Sequence, residues 1–146
     1  MLAFPLALVP SLLLLTAVFI LLRLAGFDLA SMSPPAVQVS LREFTGAVIF
    51  APILETLLLA LGLFILGVLF KRRLFVAAVS ALLWGGFHGL VAPFWFFGTV
   101  WSFFIFSCAY LVWRERSFYS AFLAAAVPHM LVNLTVFILS VVSKHA

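Results

Sequence analysis

Charged residues are scarce in this chain. Asp, Glu, Lys and Arg together make up 8% of its 146 residues, and only four are acidic. A water-soluble domain of this length needs far more polar surface, so that class is excluded. Cysteine is nearly absent too. Cys108 is the only one, so no internal disulfide can form and the redox compartment leaves no trace. It sits in an apolar segment with no nucleophile partner beside it in sequence, which points to packing. The N-terminal stretch lacks the basic opening of a signal peptide. Its apolar run, Met1 to Leu22, is longer than the usual apolar core of such a peptide, so a retained membrane helix is expected. Internal repeats and low-complexity linkers are missing as well. The net charge of +4 and pI near 10 do not indicate a nucleic-acid partner, because the Lys and Arg residues sit at segment ends, where they orient helices against a bilayer.

Apolar residues are what the chain does have, at 67%. Runs of eighteen or more read as transmembrane helices. Five are expected, at about Leu6–Leu24, Arg42–Phe70, Leu74–Val91, Phe94–Trp113 and Ser117–Val142. Residues 25–40, with Asp28 and Ser31-Met32-Ser33-Pro34-Pro35, form a loop with room for a short interfacial piece. Residues 1–146 therefore read as a single membrane domain, an all-α polytopic helix bundle in contact with lipid. Alternation places the Lys71-Arg72-Arg73 and Arg114/Arg116 loops on one face with the N-terminus. That face carries five basic residues, against Arg23, Arg42 and Lys144 on the other. The positive-inside rule then favours a cytoplasmic N-terminus.

Against this background four polar side chains stand out deep inside apolar segments: Glu55, His88, His129 and Asn133. Ionisable groups at membrane depth are costly and usually face a cavity where they act. Depth below the basic loops can be counted at ~1.5 Å per residue. Glu55 is sixteen residues from Lys71 and His88 fifteen from Arg73, giving ~24 and ~22 Å. His129 and Asn133 are thirteen and seventeen from Arg116, giving ~20 and ~26 Å. All four fall within about two helical turns, as one shared site requires.

His129 and Asn133 are spaced i, i+4 and share a helix face. Together they supply donors of the kind a developing oxyanion needs, or they hydrogen-bond across helices as packing glue. Glu55 lies in Ala51-Pro52-Ile53-Leu54-Glu55-Thr56. Pro52 frees a carbonyl one turn back and can kink the helix. A carboxylate in a dry site is suited to act as general base, or to hold the bundle together by pairing with a histidine. Gly85, Gly86 and Gly89 around His88 read as close helix packing, Trp84 as core filling, and the Phe/Trp stretch from Phe94 to Phe106 mostly as lipid contact and interface anchoring. Two His and one Glu (Glu55, His88 and His129) are also a reasonable zinc set.

The ordered combination is more specific than its parts. Ala-Pro-x-x-Glu ending at Glu55, aromatic-x-x-x-His from Trp84 to His88, and His-x-x-x-Asn from His129 to Asn133 resemble the CPBP family. These are bacterial membrane proteins, also called Abi or bacteriocin-processing proteins, related to the type II CAAX prenyl endopeptidases. The resemblance covers roughly residues 42–137. It implies a bacterial inner-membrane endopeptidase in which Glu55, with His88, activates a water while His129 and Asn133 hold the oxyanion. The family has been described both as metalloprotease and as metal-free glutamate protease; in a zinc version Glu55 would be a ligand, with no second carboxylate left as base, which slightly favours the metal-free mechanism. Besides the milder change of Trp84 for Phe, two positions depart from the family pattern: Thr56 stands where a second glutamate is expected and Ala60 where an arginine is. They give a second reading, a member without the chemistry that binds or stabilises another membrane protein. A third, a proton or cation carrier, lacks the polar path to both faces that a relay needs. No prenyl site is evident; a peptide, a bacteriocin leader or a membrane-protein segment fits equally as substrate. None of the motifs encodes an oligomeric state.

Overall fold

The computed structural model describes residues 2–29, 32–33 and 39–143. Their regular structure is all helical, with no strand among them. The order is α1 (Ala3–Leu24), α2 (Leu41–Thr45), a π-helical turn (Gly46–Phe50), α3 (Ala51–Leu69), α4 (Arg73–Val91), α5 (Pro93–Trp113) and α6 (Phe118–Val142). The α2–π–α3 unit forms one continuous span, so five helices are long and apolar enough to cross a membrane. At most 33% of any span is buried inside the bundle. The remainder exposes Leu, Phe and Val side chains that only lipid could cover. The chain is an integral membrane protein with five transmembrane helices. Within residues 25–40, where an interfacial piece is expected, 30–31 and 34–38 lie outside the described residues, as does Lys144.

Helix ends follow local chemistry. Gly26, at φ 82°, ends α1. The Phe27 N–H reaches the Leu22 carbonyl and the Gly26 N–H the Arg23 carbonyl, the paired bonds of a Schellman stop. Ser40 and Ser117 cap the next spans by accepting from the Glu43 and Ser120 amides. Pro93 at the start of α5 costs no helical bond there, and it disfavours continuing α4 through Ala92. The two basic loops lie at the same end, where Arg73 pairs with Glu115.

Small residues let the helices close. A Cβ on Gly85 would lie 2.2 Å from Val100 Cγ2 and 3.3 Å from the Phe96 carbonyl oxygen, and one on Gly89 3.1 Å from Phe96 Cβ. Both glycines therefore serve α4–α5 contact. Gly86 has nothing within 4 Å of that position. Gly85→Ala should cost about 1–3 kcal/mol, since the short, stiff Val100 side chain must shift and the Phe96 backbone beside it leaves little room. Gly86→Ala should be neutral or slightly stabilising. Thermal unfolding in one detergent compares the two, and equal midpoints would remove the close-packing account.

A proline inside a span orphans a carbonyl, and a neighbouring helix can satisfy it. Pro10 has no N–H for the Leu6 carbonyl four residues back; the Trp101 indole of α5 donates to that oxygen at 2.8 Å. Beside this contact Ser11 Oγ donates to the Gly98 carbonyl at 2.9 Å and lies 2.8 Å from Ser102 Oγ, binding α1 to α5.

The aromatic stretch of α5 differs from its expected role. Phe94, Phe103 and Phe106 are buried at 6%, 3% and 1% exposure, so they belong to the core rather than to lipid. With Leu59, Leu63 and the α6 alanines Ala121 and Ala125, Phe103 and Phe106 fill the centre of the bundle, while Phe94 is buried apart from it, against Phe19 of α1. Trp84 does fill the core, stacked on Phe103 at 4.7 Å between ring centroids.

Candidate active site

Three of the four polar side chains meet at one carboxylate oxygen. Glu55 Oε2 lies 3.5 Å from His129 Nε2 and 3.9 Å from His88 Nε2. The groups come from α3, α6 and α4, so three separate spans build the site. His129 is buried, whereas the Glu55 and His88 side chains keep 23% and 24% exposure. A pairing that served only to hold the bundle together would gain most by being sealed; here Oε2 itself is buried but the rest of the Glu55 and His88 side chains stays part-exposed.

Each ring is held by its other contacts. His88 Nδ1 lies 2.9 Å from the Trp84 carbonyl oxygen, one turn back on α4. A carbonyl only accepts, so Nδ1 carries the proton and donates. In the neutral imidazole Nε2 is then a lone pair, turned toward Glu55. His129 is sandwiched by aromatics: it stacks on Phe106 at 4.8 Å and meets Phe103 edge-on at 5.0 Å. Glu55 Oε2 is buried and accepts no hydrogen bond from the described residues. Two acceptors 3.9 Å apart, a carboxylate oxygen and an imidazole lone pair, have nothing to give each other. A water with an oxygen about 2.8 Å from each would donate to both and satisfy both.

Asn133 reaches the site's scaffold. In the π-helical turn the Ala51 N–H bonds the Gly46 carbonyl, five residues back. The next bond in that register would run from residue 52 to the Ala47 carbonyl, but residue 52 is proline and has no N–H. Asn133 Nδ2 donates to the Ala47 oxygen at 2.9 Å instead. The carbonyl that Pro52 was expected to free is thus taken by a residue of the His-x-x-x-Asn motif, which ties α6 to the helix bearing Glu55. The amide keeps a second N–H.

A stability cycle tests this clasp. Asn133→Ala should cost about 1–3 kcal/mol by leaving the Ala47 oxygen unpaired. In a Pro52→Ala background, where the helix supplies its own N–H, the same change should cost markedly less. An equal penalty in both backgrounds, read from thermal unfolding, would show that Asn133 stabilises through something else.

Comparison with family models, curated proteins and solved structures found no match.

The departures from the family pattern sit inside the fold. Thr56 is 1% exposed and its hydroxyl has no hydrogen-bond partner among the described residues, and Ala60 is 7% exposed. Among the described residues no group of three or more His, Cys, Asp or Glu is arranged to hold a metal ion, although two imidazoles and a carboxylate are chemically a zinc-type donor set. Sequence reasoning missed Phe103 and Phe106, which form the slot for His129. Their i, i+3 spacing on α5 was visible, but an all-apolar helix offers no contrast to mark its inner face.

Proposed function

We propose that this protein is an intramembrane endopeptidase of the CPBP type, hydrolysing a peptide bond in a membrane-associated peptide or protein. The observation that carries the reading is Glu55 Oε2, which accepts no hydrogen bond from the described residues, facing a lone pair on His88 within a part-exposed, three-helix site. A water donating to both acceptors has its oxygen enriched in electron density. As that oxygen attacks the substrate carbonyl carbon, Glu55 takes one water proton. The carbonyl oxygen becomes an oxyanion, stabilised by the Nε2–H of His129 and the remaining N–H of Asn133. Collapse of the tetrahedral intermediate breaks the C–N bond, and the proton on Glu55 passes to the leaving nitrogen. The new acid and amine account for every atom of the water. The basic loops, and with them the N-terminus, face the cytoplasm in this reading.

A second reading rests on Thr56 and Ala60: a protein that keeps the constellation but uses it to bind or stabilise another membrane protein. The deciding experiment compares wild type and Glu55→Gln, purified in detergent, on a library of membrane-inserted peptides with products read by mass spectrometry, with and without chelator. Cleavage by wild type, lost in the variant and indifferent to chelator, supports the water-and-carboxylate mechanism. Loss on chelation would assign Glu55, His88 and His129 to a metal. Products formed equally by the variant would overturn the assignment of Glu55.

A further inference from the structure

A cleft of about 520 Å³ lies between α3 and the facing ends of α5 and α6, lined by Leu57, Ala60, Leu61, Phe64, Tyr110, Arg114 and Phe118. It is not part of the candidate active site. At about 100° per residue, Leu57, Leu61 and Phe64 project from the side of α3 roughly opposite Glu55. The α3 side of the cleft is apolar, Tyr110 and Arg114 make the other side polar, and Arg114, at the end where the basic loops gather, is the one charge among the described lining residues. The neighbouring charges are engaged elsewhere: Glu115 with Arg73, and Arg116 over the Trp113 ring at 4.6 Å. Arg114 makes no ion pair among the described residues; its guanidinium lies 5.7 Å from the centroid of the Phe64 ring, across the cleft. The arrangement is an apolar slot inside a bilayer with a cation held over it near the surface.

We propose that this cleft binds one anionic glycerophospholipid, its phosphate on Arg114 and an acyl chain along Leu57, Leu61 and Phe64. Each half of the ligand answers one half of the site. Within the hydrocarbon layer an acyl chain is the most abundant apolar occupant available to such a slot. Ala60 is small enough to leave the slot open, where a long side chain would occupy it. A guanidinium matches a phosphate with paired hydrogen bonds, and basic pockets between transmembrane helices recognise anionic head groups in this way. The inference is independent of the chemistry at Glu55.

The test is native mass spectrometry of the protein released from bilayers of equal phosphatidylglycerol and phosphatidylcholine. Wild type should retain one phosphatidylglycerol per chain, with about a tenfold preference over phosphatidylcholine. Arg114→Gln should lose the preference. Leu57→Trp keeps the charge but fills the slot, and should lose the retained lipid while eluting as wild type. Arg72→Gln removes the same charge from the same end without lining the cleft, and should keep the preference. Equal retention of both lipids by wild type, retention unchanged in Arg114→Gln, or an equal loss in Arg72→Gln would each overturn the site, the last by reducing it to the general field of the basic face.

Discussion

Glu55→Gln is expected to lower peptide cleavage by about 10²–10⁴-fold while leaving helicity, elution and thermal midpoint close to wild type. The size follows from what a general base contributes to proton transfer in the transition state. Glutamine fills the same volume but cannot accept the water proton. The stability half of the expectation rests on the buried oxygen itself. Glu55 Oε2 accepts no hydrogen bond from the described residues, so the substitution takes no such bond from it. The new amide can donate to the His88 lone pair, which improves rather than worsens the local pairing. Loss of activity with a lowered midpoint would mean that Glu55 holds the bundle together. Full activity with an unchanged midpoint would end the proposed mechanism. Cleavage rates and unfolding of the same preparations give both readouts.

The fold was legible because the bilayer simplifies the alphabet. Five long apolar runs gave five spans, with ends within a few residues of those observed, and Lys71-Arg72-Arg73 and Arg114-Glu115-Arg116 correctly shared one end. The site was legible for the same reason. Polar side chains are so rare inside the spans that counting depth was enough to suggest that Glu55, His88 and His129 meet. What stayed hidden was orientation around each helix. Lipid is as apolar as a protein core, so nothing in the α5 sequence separates Phe103 and Phe106, which grip His129, from neighbours that face outward. Trp101 looked like an interface anchor, yet its indole also serves the carbonyl freed by Pro10. Pro52 announced an orphan carbonyl without saying who would take it. The sequence of α6 gave Asn133 a place beside His129, but only the π-helical register explains why its amide goes to Ala47.

His129 carries the second large effect, because its ring does two separable things. One is packing: the imidazole lies stacked on Phe106 and edge-on to Phe103, buried to 3% exposure. The other is polar: Nε2 points at Glu55 and, in the proposed reaction, donates to the oxyanion. His129→Phe keeps an aromatic ring in an aromatic slot and removes the donor. It should fold with a midpoint near that of wild type and cleave about 10²–10³-fold more slowly, the loss seen when one oxyanion donor is removed. His129→Ala removes ring and donor together, and should lose stability as well because it leaves a cavity between two phenylalanines. The contrast isolates the nitrogen from the ring. If His129→Phe cleaves as fast as wild type, the donor role fails and the imidazole is core packing. If it cleaves slowly but also unfolds as early as His129→Ala, the slot does not accept a benzene ring, and His129→Gln, which offers an N–H without the ring, becomes the discriminating variant. In that variant the donor account requires partial recovery of rate over His129→Ala at similar stability, since only a group that touches the developing charge can restore turnover without restoring the packing.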